Sequence, residues 1–362
     1  MHKVLVTLWV ASLLLVGAAR VGAQGDASEW QCPAGFEGQT LRILSFTQYI
    51  GEDIIPRFEE LCGVTVEYDA TDSSEAVLLL LRERTAPYDI IVPSGDVLGR
   101  MINEGLLYEL NQENIPNLAN LSEAFADPIY DPGNRYSIAY VWGLLAVGYN
   151  AELIEEPITS WYDVFNYDGP VAWQDDLRMM LGTALMLLGY DPSTTNPDEI
   201  AEARDFLIEN SENVVTVAGD DGQVLLEQFV VDIAIEWNGD IVQLAADCEC
   251  DDFRFVIPEE GALTYVDNLA IPANAENPAL AEVFMDFILD PHIGAENINY
   301  IAYGTPNQAA LDLELVDEAL LNDPTVYPPA ETFETLQTAM DIPEVEDLYF
   351  EAWNEVLLSL SN

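Results

Sequence analysis

The sequence predicts an α/β protein with two domains, and three observations support this prediction. Apolar, β-branched segments alternate with amphipathic helical patterns, an order that places helices over a mainly parallel sheet. The chain has 362 residues, which is more than one hydrophobic core usually supports. No internal repeat or low-complexity linker separates the alternating segments. We therefore expect a chain that crosses between the domains more than once.

The first half of this alternation begins near residue 40. Its strands are apolar and its helices show a 3.6-residue apolar period, with Gly63 predicting the end of the first helix. Asp96 is predicted as the N-cap of the third helix. The predicted strands are 40–46, 64–68, 88–92 and 137–148, and the predicted helices are 51–62, 74–84 and 97–104.

The second half repeats the same order of elements. Strands are predicted near Val171, Val214 and Ile233 and again at 264–271. The strand near Ile233 is expected to end at Trp237, and the Asn238–Gly239 pair that follows predicts a turn. An amphipathic helix is predicted near the carboxyl end of the chain. The predicted helices are 176–188, 197–209, 222–229, 278–289, 293–300 and 345–358.

Residues 1–23 have the pattern of a secretory signal peptide. Lys3 precedes an apolar run over residues 4–17, and small residues at 21–23 come before the polar Gln24. This order predicts cleavage near Ala23. The apolar run is shorter than the ~20 residues that a membrane span needs. We therefore expect an exported, soluble mature protein, with an uncleaved membrane anchor as the alternative.

The formal net charge of -54 restricts the possible partners. Such a field repels nucleic acid and anionic lipid and attracts cations, so we expect no nucleic-acid partner. The charge could steer a cationic ligand, or it could be a solvated surface suited to a salty medium. The second interpretation explains so large a total better, because a binding site needs only a few carboxylates. The total charge therefore permits a cationic ligand without demonstrating one.

Missing residue types exclude several enzyme classes. His292 is the only histidine after the predicted leader, and it is expected at an exposed helix start. Lys3 is the only lysine, so the mature chain has none for a Schiff base or a phosphate loop. A glycoside hydrolase that uses only carboxylates remains the enzymatic alternative.

The four cysteines fit an oxidising compartment and allow three pairings. A bond between Cys32 and Cys62 is preferred, because it would tie the amino-terminal segment to the first domain. Cys248 and Cys250 would then form a tight ring or stay reduced. A metal site is the weaker interpretation, because no nearby histidine or thiolate pair completes four ligands. We expect neither a metal nor a cofactor.

Seven short motifs occur in order along the chain, mostly at the ends of predicted strands. They are LSFTQYI at 44–50, YDIIVPS at 88–94, YVWGLLAVGYN at 140–150, TSWYD at 159–163, WNG at 237–239, DNLAIPAN at 267–274 and YGTPN at 303–307. Each motif alone is weak. Their order resembles the spermidine/putrescine-binding proteins of ABC importers over most of the predicted mature chain.

The resemblance implies a two-lobe periplasmic binding-protein fold of type II. Each lobe would be a mainly parallel sheet flanked by helices, and the ligand cleft would lie between the lobes. The first lobe would hold residues 39–144 and 268–312, and the second 145–267 and 313–362. The protein would be a monomer that captures a polyamine and docks, when closed, on the membrane permease subunits of an ABC importer.

The resemblance also implies a binding site suited to a protonated amine chain. Such a ligand needs carboxylates at its nitrogens and aromatic faces along its methylenes. The implied residues are the aromatic Phe46, Tyr49, Trp237, Tyr265 and Tyr303, the carboxylates Asp96, Asp176, Asp240 and Asp267, and the hydroxyls of Thr47 and Ser94.

Two positions depart from the family pattern. Many members have tryptophan where this chain has Phe46, which is a weaker cation–π face. Met179 replaces a glutamate that the family usually carries three residues after the Asp176 position, although a core position explains it equally well. The ligand's length therefore stays open. A binding protein of the same fold for another cationic solute is the remaining alternative.

Overall fold

The computed structural model describes residues 30–71, 73–83, 87–154, 156–219, 221–248 and 252–361. The predicted leader lies outside these ranges, as does Cys250. The statement that Cys248 and Cys250 form a tight ring or stay reduced therefore stays a prediction. Within the described ranges, no helix combines the length and apolar character that a membrane crossing requires.

The first part of the chain confirms the predicted strand–helix alternation. The first helix ends at Gly63, whose left-handed backbone donates its N–H to the Glu59 carbonyl. The elements in this part are β1 (Thr40–Ser45), α1 (Ile54–Cys62), β2 (Thr65–Ala70), α2 (Ser74–Glu83), β3 (Ile90–Ile91), α3 (Gly95–Asn103) and β4 (Ser137–Asn150), with short 3₁₀ helices at Gln112–Asn114 and Pro116–Asn120.

The rest of the chain continues the alternation and adds elements that the sequence did not predict. Among them are a helix at Asn238–Asp247 and two short strands at Phe253–Val256 and Gln337–Thr338. The elements in the middle of the chain are α4 (Trp161–Phe165), β5 (Val171–Gln174), α5 (Leu177–Leu188), α6 (Pro197–Glu209), β6 (Val214–Ala218), α7 (Gly222–Glu227), β7 (Ile233–Trp237), α8 (Asn238–Asp247) and β8 (Phe253–Val256). Those at the carboxyl end are β9 (Leu263–Ala270), α9 (Pro278–Ile288), α10 (Pro291–Ile301), α11 (Gln308–Asp312), α12 (Glu318–Leu321), α13 (Ala330–Phe333), β10 (Gln337–Thr338) and α14 (Glu346–Leu360).

The strands form a mixed sheet with the order β2-β1-β3-β9-β4-β7-β5-β6, and β8 and β10 pair with β4 and β9. The pairings β2–β1–β3 and β6–β5–β7 are parallel, as predicted. The pairings of β4 with β7, β8 and β9, and of β3 with β9, are antiparallel. Two parallel half-sheets are therefore joined through two long antiparallel strands.

Each half-sheet organises its own hydrophobic core, and together they make the two lobes. We call the side of β2–β1–β3 the first lobe and the side of β7–β5–β6 the second lobe. Ile138 and Val141 of β4 pack in the first core, whereas Leu145 and Val147 of the same strand pack in the second. Strand β9 also contributes to both. The β4 and β9 strands thus cross between the lobes, and the lobe boundaries given above stay a prediction.

The amino-terminal segment is held against the first lobe, as the cysteine prediction required. Cys32 and Cys62 form a disulfide, which confirms the preferred pairing. Trp30 packs against Phe287, with ring centroids 5.0 Å apart, and donates its indole N–H to Asp286 at 2.8 Å. The disulfide and these contacts fix the segment to α1 and α9.

Two local predictions were wrong. The N-cap of α3 is Ser94, so Asp96 lies inside the first helical turn instead of capping it. The Asn238–Gly239 pair begins helix α8 rather than forming a turn, although β7 does end at Trp237 as predicted. In both places the helix starts closer to the preceding strand than the sequence signals indicated.

Candidate ligand-binding cleft

A narrow cavity lies between the two lobes. We call it the central cleft. Nine of the eleven predicted site residues line it. They are Phe46, Tyr49, Ser94, Asp176, Trp237, Asp240, Tyr265, Asp267 and Tyr303. They come from the ends of β1 and β7, from the starts of α3, α5 and α8, from the crossing strand β9 and, for Tyr303, from the segment after α10. They meet where the carboxyl ends of parallel strands leave a crevice.

Asp267 is the buried centre of the cleft, with 2 % of its surface exposed. It lies on β9, where that strand passes from one lobe to the other. The Tyr49 hydroxyl donates to its Oδ2 at 2.5 Å, and the Ser94 hydroxyl donates to its Oδ1. Two hydroxyl donors therefore hold the carboxylate in one orientation.

Burial raises the pKa of the Asp267 carboxyl to about 7, and the Ser94 and Tyr49 donors partly oppose this shift. The ionised carboxylate is thus costly at this position, because it has lost much of its hydration. A cation bound beside Asp267 would relieve that cost, since it stabilises the ionised form.

Aromatic rings enclose the carboxylate on several sides. Tyr49 makes edge-to-face contacts with Phe46 and Tyr303, with centroids 5.4 and 5.3 Å apart. Trp237 contacts Tyr265 in the same manner at 4.7 Å. Such pairs fix the ring planes, so the faces that line the cleft are set before any ligand binds.

Two glycines make room for these rings. A Cβ on Gly239 would lie 2.4 Å from the Tyr303 ring, and one on Gly143 would lie 2.6 Å from the Tyr265 hydroxyl oxygen. The rings therefore approach the start of α8 and strand β4 more closely than any other residue type would allow. In the WNG motif, the glycine thus provides space for a side chain of the first lobe.

Asp240 is held at one end of the central cleft. It lies in the first turn of α8, and the Tyr303 hydroxyl donates to its Oδ1 at 2.7 Å. Since α8 belongs to the second lobe and Tyr303 packs in the first core, this hydrogen bond joins the two walls. It also holds a second carboxylate on the wall of the central cleft, next to a neighbouring pocket that Asp176 does not line.

Asp176 lies where the central cleft meets a second, wider cavity, which we call the distal chamber. Its side chain caps α5 and accepts the backbone N–H groups of Arg178 and Met179, each at 2.9 Å. Burial and the nearby Asp96 carboxylate raise the pKa of Asp176 to about 6. Met179 is almost completely buried and lines the distal chamber.

The remaining two predicted residues lie outside the central cleft. Thr47 is exposed in the turn after β1, and Asp96 lines the distal chamber. Sequence reasoning missed Ser73, Ser74, Gln174 and Asp175, which also line the central cleft. Gln174 is the last residue of β5 and Asp175 follows it. The rule that ligands bind at the carboxyl ends of parallel strands could therefore have found both.

The comparisons with known proteins agree with this architecture. Residues 53–326 match the bacterial extracellular solute-binding protein family, and the chain belongs to that family. It is 30% identical to the spermidine/putrescine-binding periplasmic protein of Escherichia coli, over 96% of this chain and 98% of that protein.

Two further proteins are similar over most of their length. The putrescine-binding periplasmic protein SpuD of Pseudomonas aeruginosa is 31% identical, over 85% of this chain and 88% of that protein. The solved structure of the spermidine/putrescine ABC transporter substrate-binding protein PotD from Streptococcus pneumoniae superimposes with a TM-score of 0.75 at 28% identity. That match covers 89% of this chain and 100% of the PotD chain. The family and the two-lobe fold expected from the sequence are thereby confirmed.

Proposed function

We propose that this protein is an exported binding protein that captures spermidine or putrescine and delivers it to an ABC importer. The buried Asp267 carboxylate inside an aromatic enclosure is the observation that carries the proposal. A protonated amine entering the cleft would lose water and gain a desolvated carboxylate and ring faces in exchange. The related proteins named above bind the same class of ligand.

Three carboxylates that line the central cleft further support an extended cation. Asp240 also lines a neighbouring surface pocket and Asp176 also lines the distal chamber, whereas Asp267 lines the central cleft alone. Tyrosine and tryptophan side chains line the same cleft, and their ring faces suit methylene groups. A compact cation would contact fewer of these carboxylates than a diamine or a triamine.

Export and transport are part of the same proposal. The charged, apolar and small-residue order of residues 1–23 supports cleavage near Ala23 and a periplasmic or extracytoplasmic location. The similarity to spermidine/putrescine-binding proteins of ABC transporters supports a polyamine ligand, permease subunits as partners and a binding role without catalysis. We propose that the mature protein acts as a monomer.

Calorimetric titration of the mature protein with putrescine, spermidine and spermine tests the ligand class. We expect saturable one-to-one binding that persists at high salt, because a buried ion pair is screened much less than a surface pair. Weak heat spread over many sites and lost at high salt would contradict the proposal. It would mean that only the acidic surface attracts the amines.

Lysine, as a free amino acid, is a matched control for the alternative cationic ligands. Its two amino groups resemble a diamine, but its carboxylate needs a cationic partner. Among the residues that the structure describes, none that lines the central cleft is lysine or arginine. We therefore expect no saturable binding of lysine under conditions where putrescine binds.

A further inference from the structure

Arg100 links the two lobes at the distal side of the cleft. Its helix, α3, packs through Val97 and Met101 in a core that covers one face of the first-lobe sheet. The segment opposite packs through Ile342 and Tyr349 in the second-lobe core. A contact between α3 and this carboxyl-terminal segment is therefore a contact between lobes.

Arg100 makes that contact with two carboxylates. Its Nε lies 3.0 Å from Asp341 Oδ1, and its Nη1 donates to the Glu346 carboxylate. The Arg100 side chain is only 7 % exposed, whereas the Asp341 and Glu346 side chains are 16 and 38 % exposed. Such a pair is far less screened than a surface ion pair, and loss of either partner leaves a poorly solvated charge.

The neighbouring Gly99 shows that the α3 surface fits closely against Asp341. A Cβ on Gly99 would lie 3.3 Å from Asp341 Oδ2, which is tighter than ordinary van der Waals contact. Glycine inside a helix costs ~1 kcal/mol relative to alanine, so its presence in α3 has no local benefit. The absent side chain lets the two lobes approach at this point.

We propose that Arg100 is a positioning residue that holds the lobes closed by pairing with Asp341 and Glu346. The distal chamber brings Asp96 of the first lobe and Asp176 of the second lobe to one cavity, and their charges repel when the lobes close. Arg100 offsets part of this repulsion with a cation that belongs to the protein. The closed form is thus populated without ligand, and a bound cation adds to that bias.

The pairing of Arg100 across the lobes also affects ligand binding. If only the closed form holds the ligand fully, the apparent affinity is the intrinsic affinity multiplied by the closed fraction. Loss of the Arg100 pairs would lower that fraction without touching any residue of the central cleft. A ~10-fold fall in the closed fraction would lower the apparent affinity ~10-fold.

The test compares the parent protein with Arg100→Met by small-angle X-ray scattering without ligand. We expect a larger radius of gyration for the variant, and a parent value that changes little with salt, because the Arg100–Asp341 pair is poorly exposed. Arg57→Met is the matched control, because Arg57 pairs with Glu296 at 2.6 Å within the first lobe. Equal radii of gyration for the parent and Arg100→Met would overturn the proposal.

Two milder variants keep the test valid if Arg100→Met folds poorly. Glu346→Gln removes one half-exposed partner, and Gly99→Leu adds bulk against Asp341 while keeping a good helix former. Both are expected to enlarge the ligand-free protein and to weaken polyamine binding. If each keeps the parent's radius of gyration, the proposal that Arg100 holds the lobes closed is refuted.

The affinity measurement rests on the proposed polyamine function, whereas the scattering measurement does not. Failure of the parent to bind any polyamine would contradict the proposed function and leave the scattering comparison intact. Normal polyamine affinity in Arg100→Met, together with an unchanged radius of gyration, would contradict only the proposed role of Arg100 in closure.

Discussion

Asp267 is a buried carboxylate and Asp176 is a half-buried one in the same cleft, and their surroundings differ in kind. Asp267 accepts hydrogen bonds from two side-chain hydroxyls on the first lobe and lies among aromatic rings. Asp176 accepts two backbone N–H groups at the start of α5 and faces other carboxylates across the lobe boundary. Burial raises the pKa of both groups, to about 7 and about 6.

The difference separates two roles for the same residue type. The Asp267 end is fixed by contacts within one lobe and by the crossing strand β9, so it is formed whether or not the lobes close. The Asp176 end is complete only when the second lobe meets α3, where Asp341 pairs with Arg100. We infer that Asp267 supplies affinity, whereas Asp176 affects lobe closure and the preference for ligand length.

The largest effect is expected for Asp267→Asn. Removing the partner of a desolvated charge commonly costs ~2–5 kcal/mol, which is ~30-fold or more in affinity. Calorimetry with putrescine and spermidine measures the loss. Glu276→Gln is the control, because it removes the same charge from a side chain that is 63% exposed and should change affinity less than about twofold. Unchanged binding by Asp267→Asn would show that the assigned centre is wrong.

The pH dependence of binding follows from the raised pKa of Asp267, which is about 7 in the empty cleft. A cation binds the ionised form, so binding below this pH must release a proton. Affinity should therefore be level above about pH 7 and fall at most about tenfold per unit below it. Titrations in buffers of different ionisation enthalpy would detect the proton. The pH dependence should largely disappear in Asp267→Asn.

The stability of the ligand-free protein should follow the opposite trend. The folded pKa of Asp267 lies above its ordinary value of 3.8, so the folded state favours the protonated carboxyl. This contribution is fully present below about pH 4 and is lost as the pH rises through about 7. The melting temperature of Asp267→Asn should accordingly fall less between pH 5 and 8 than that of the parent. Equal falls would contradict the raised pKa.

A smaller effect is expected for Gly239→Ala. Its new methyl group would overlap the Tyr303 ring, and overpacking of this kind typically costs ~1–3 kcal/mol. If the ring moves away from the cleft, polyamine affinity should fall about tenfold. In a Tyr303→Ala background the same change should cost almost nothing, because the overlap is gone. An equal loss in both backgrounds would exclude the ring as the cause.

The parts of the fold that could be predicted are those with local signals. Gly63 ends α1, Asp176 caps α5, and both follow from residue type and apolar period. Most of the site could be placed because the resemblance to a known family supplied both the residues and their roles.

The parts that could not be predicted depend on contacts between distant segments. The Asn238–Gly239 pair has the composition of a turn, and only the position of Tyr303 explains why glycine is needed in a helix there. The antiparallel pairing of β4 with β9 and the reach of Arg100 to Asp341 leave no periodic pattern in the sequence. Tertiary contacts decided each of these features.

The smallest effect is expected for Asp176→Asn, which makes the same chemical change as Asp267→Asn at the other end. Asparagine can still accept the Arg178 and Met179 N–H groups, so α5 should keep its cap. The lost charge also relieves the repulsion from Asp96 that helps to raise the pKa of Asp176. Closure should become easier, which offsets part of the lost attraction for a cation.

We therefore expect Asp176→Asn to leave putrescine affinity within about threefold and to weaken spermidine binding more, since only the longer amine reaches the distal chamber. Parallel titrations with the two amines measure this selectivity. A loss as large as that of Asp267→Asn, and equal for both amines, would remove the distinction between the two ends. Asp176 would then supply affinity directly, and the diamine would have to span both carboxylates.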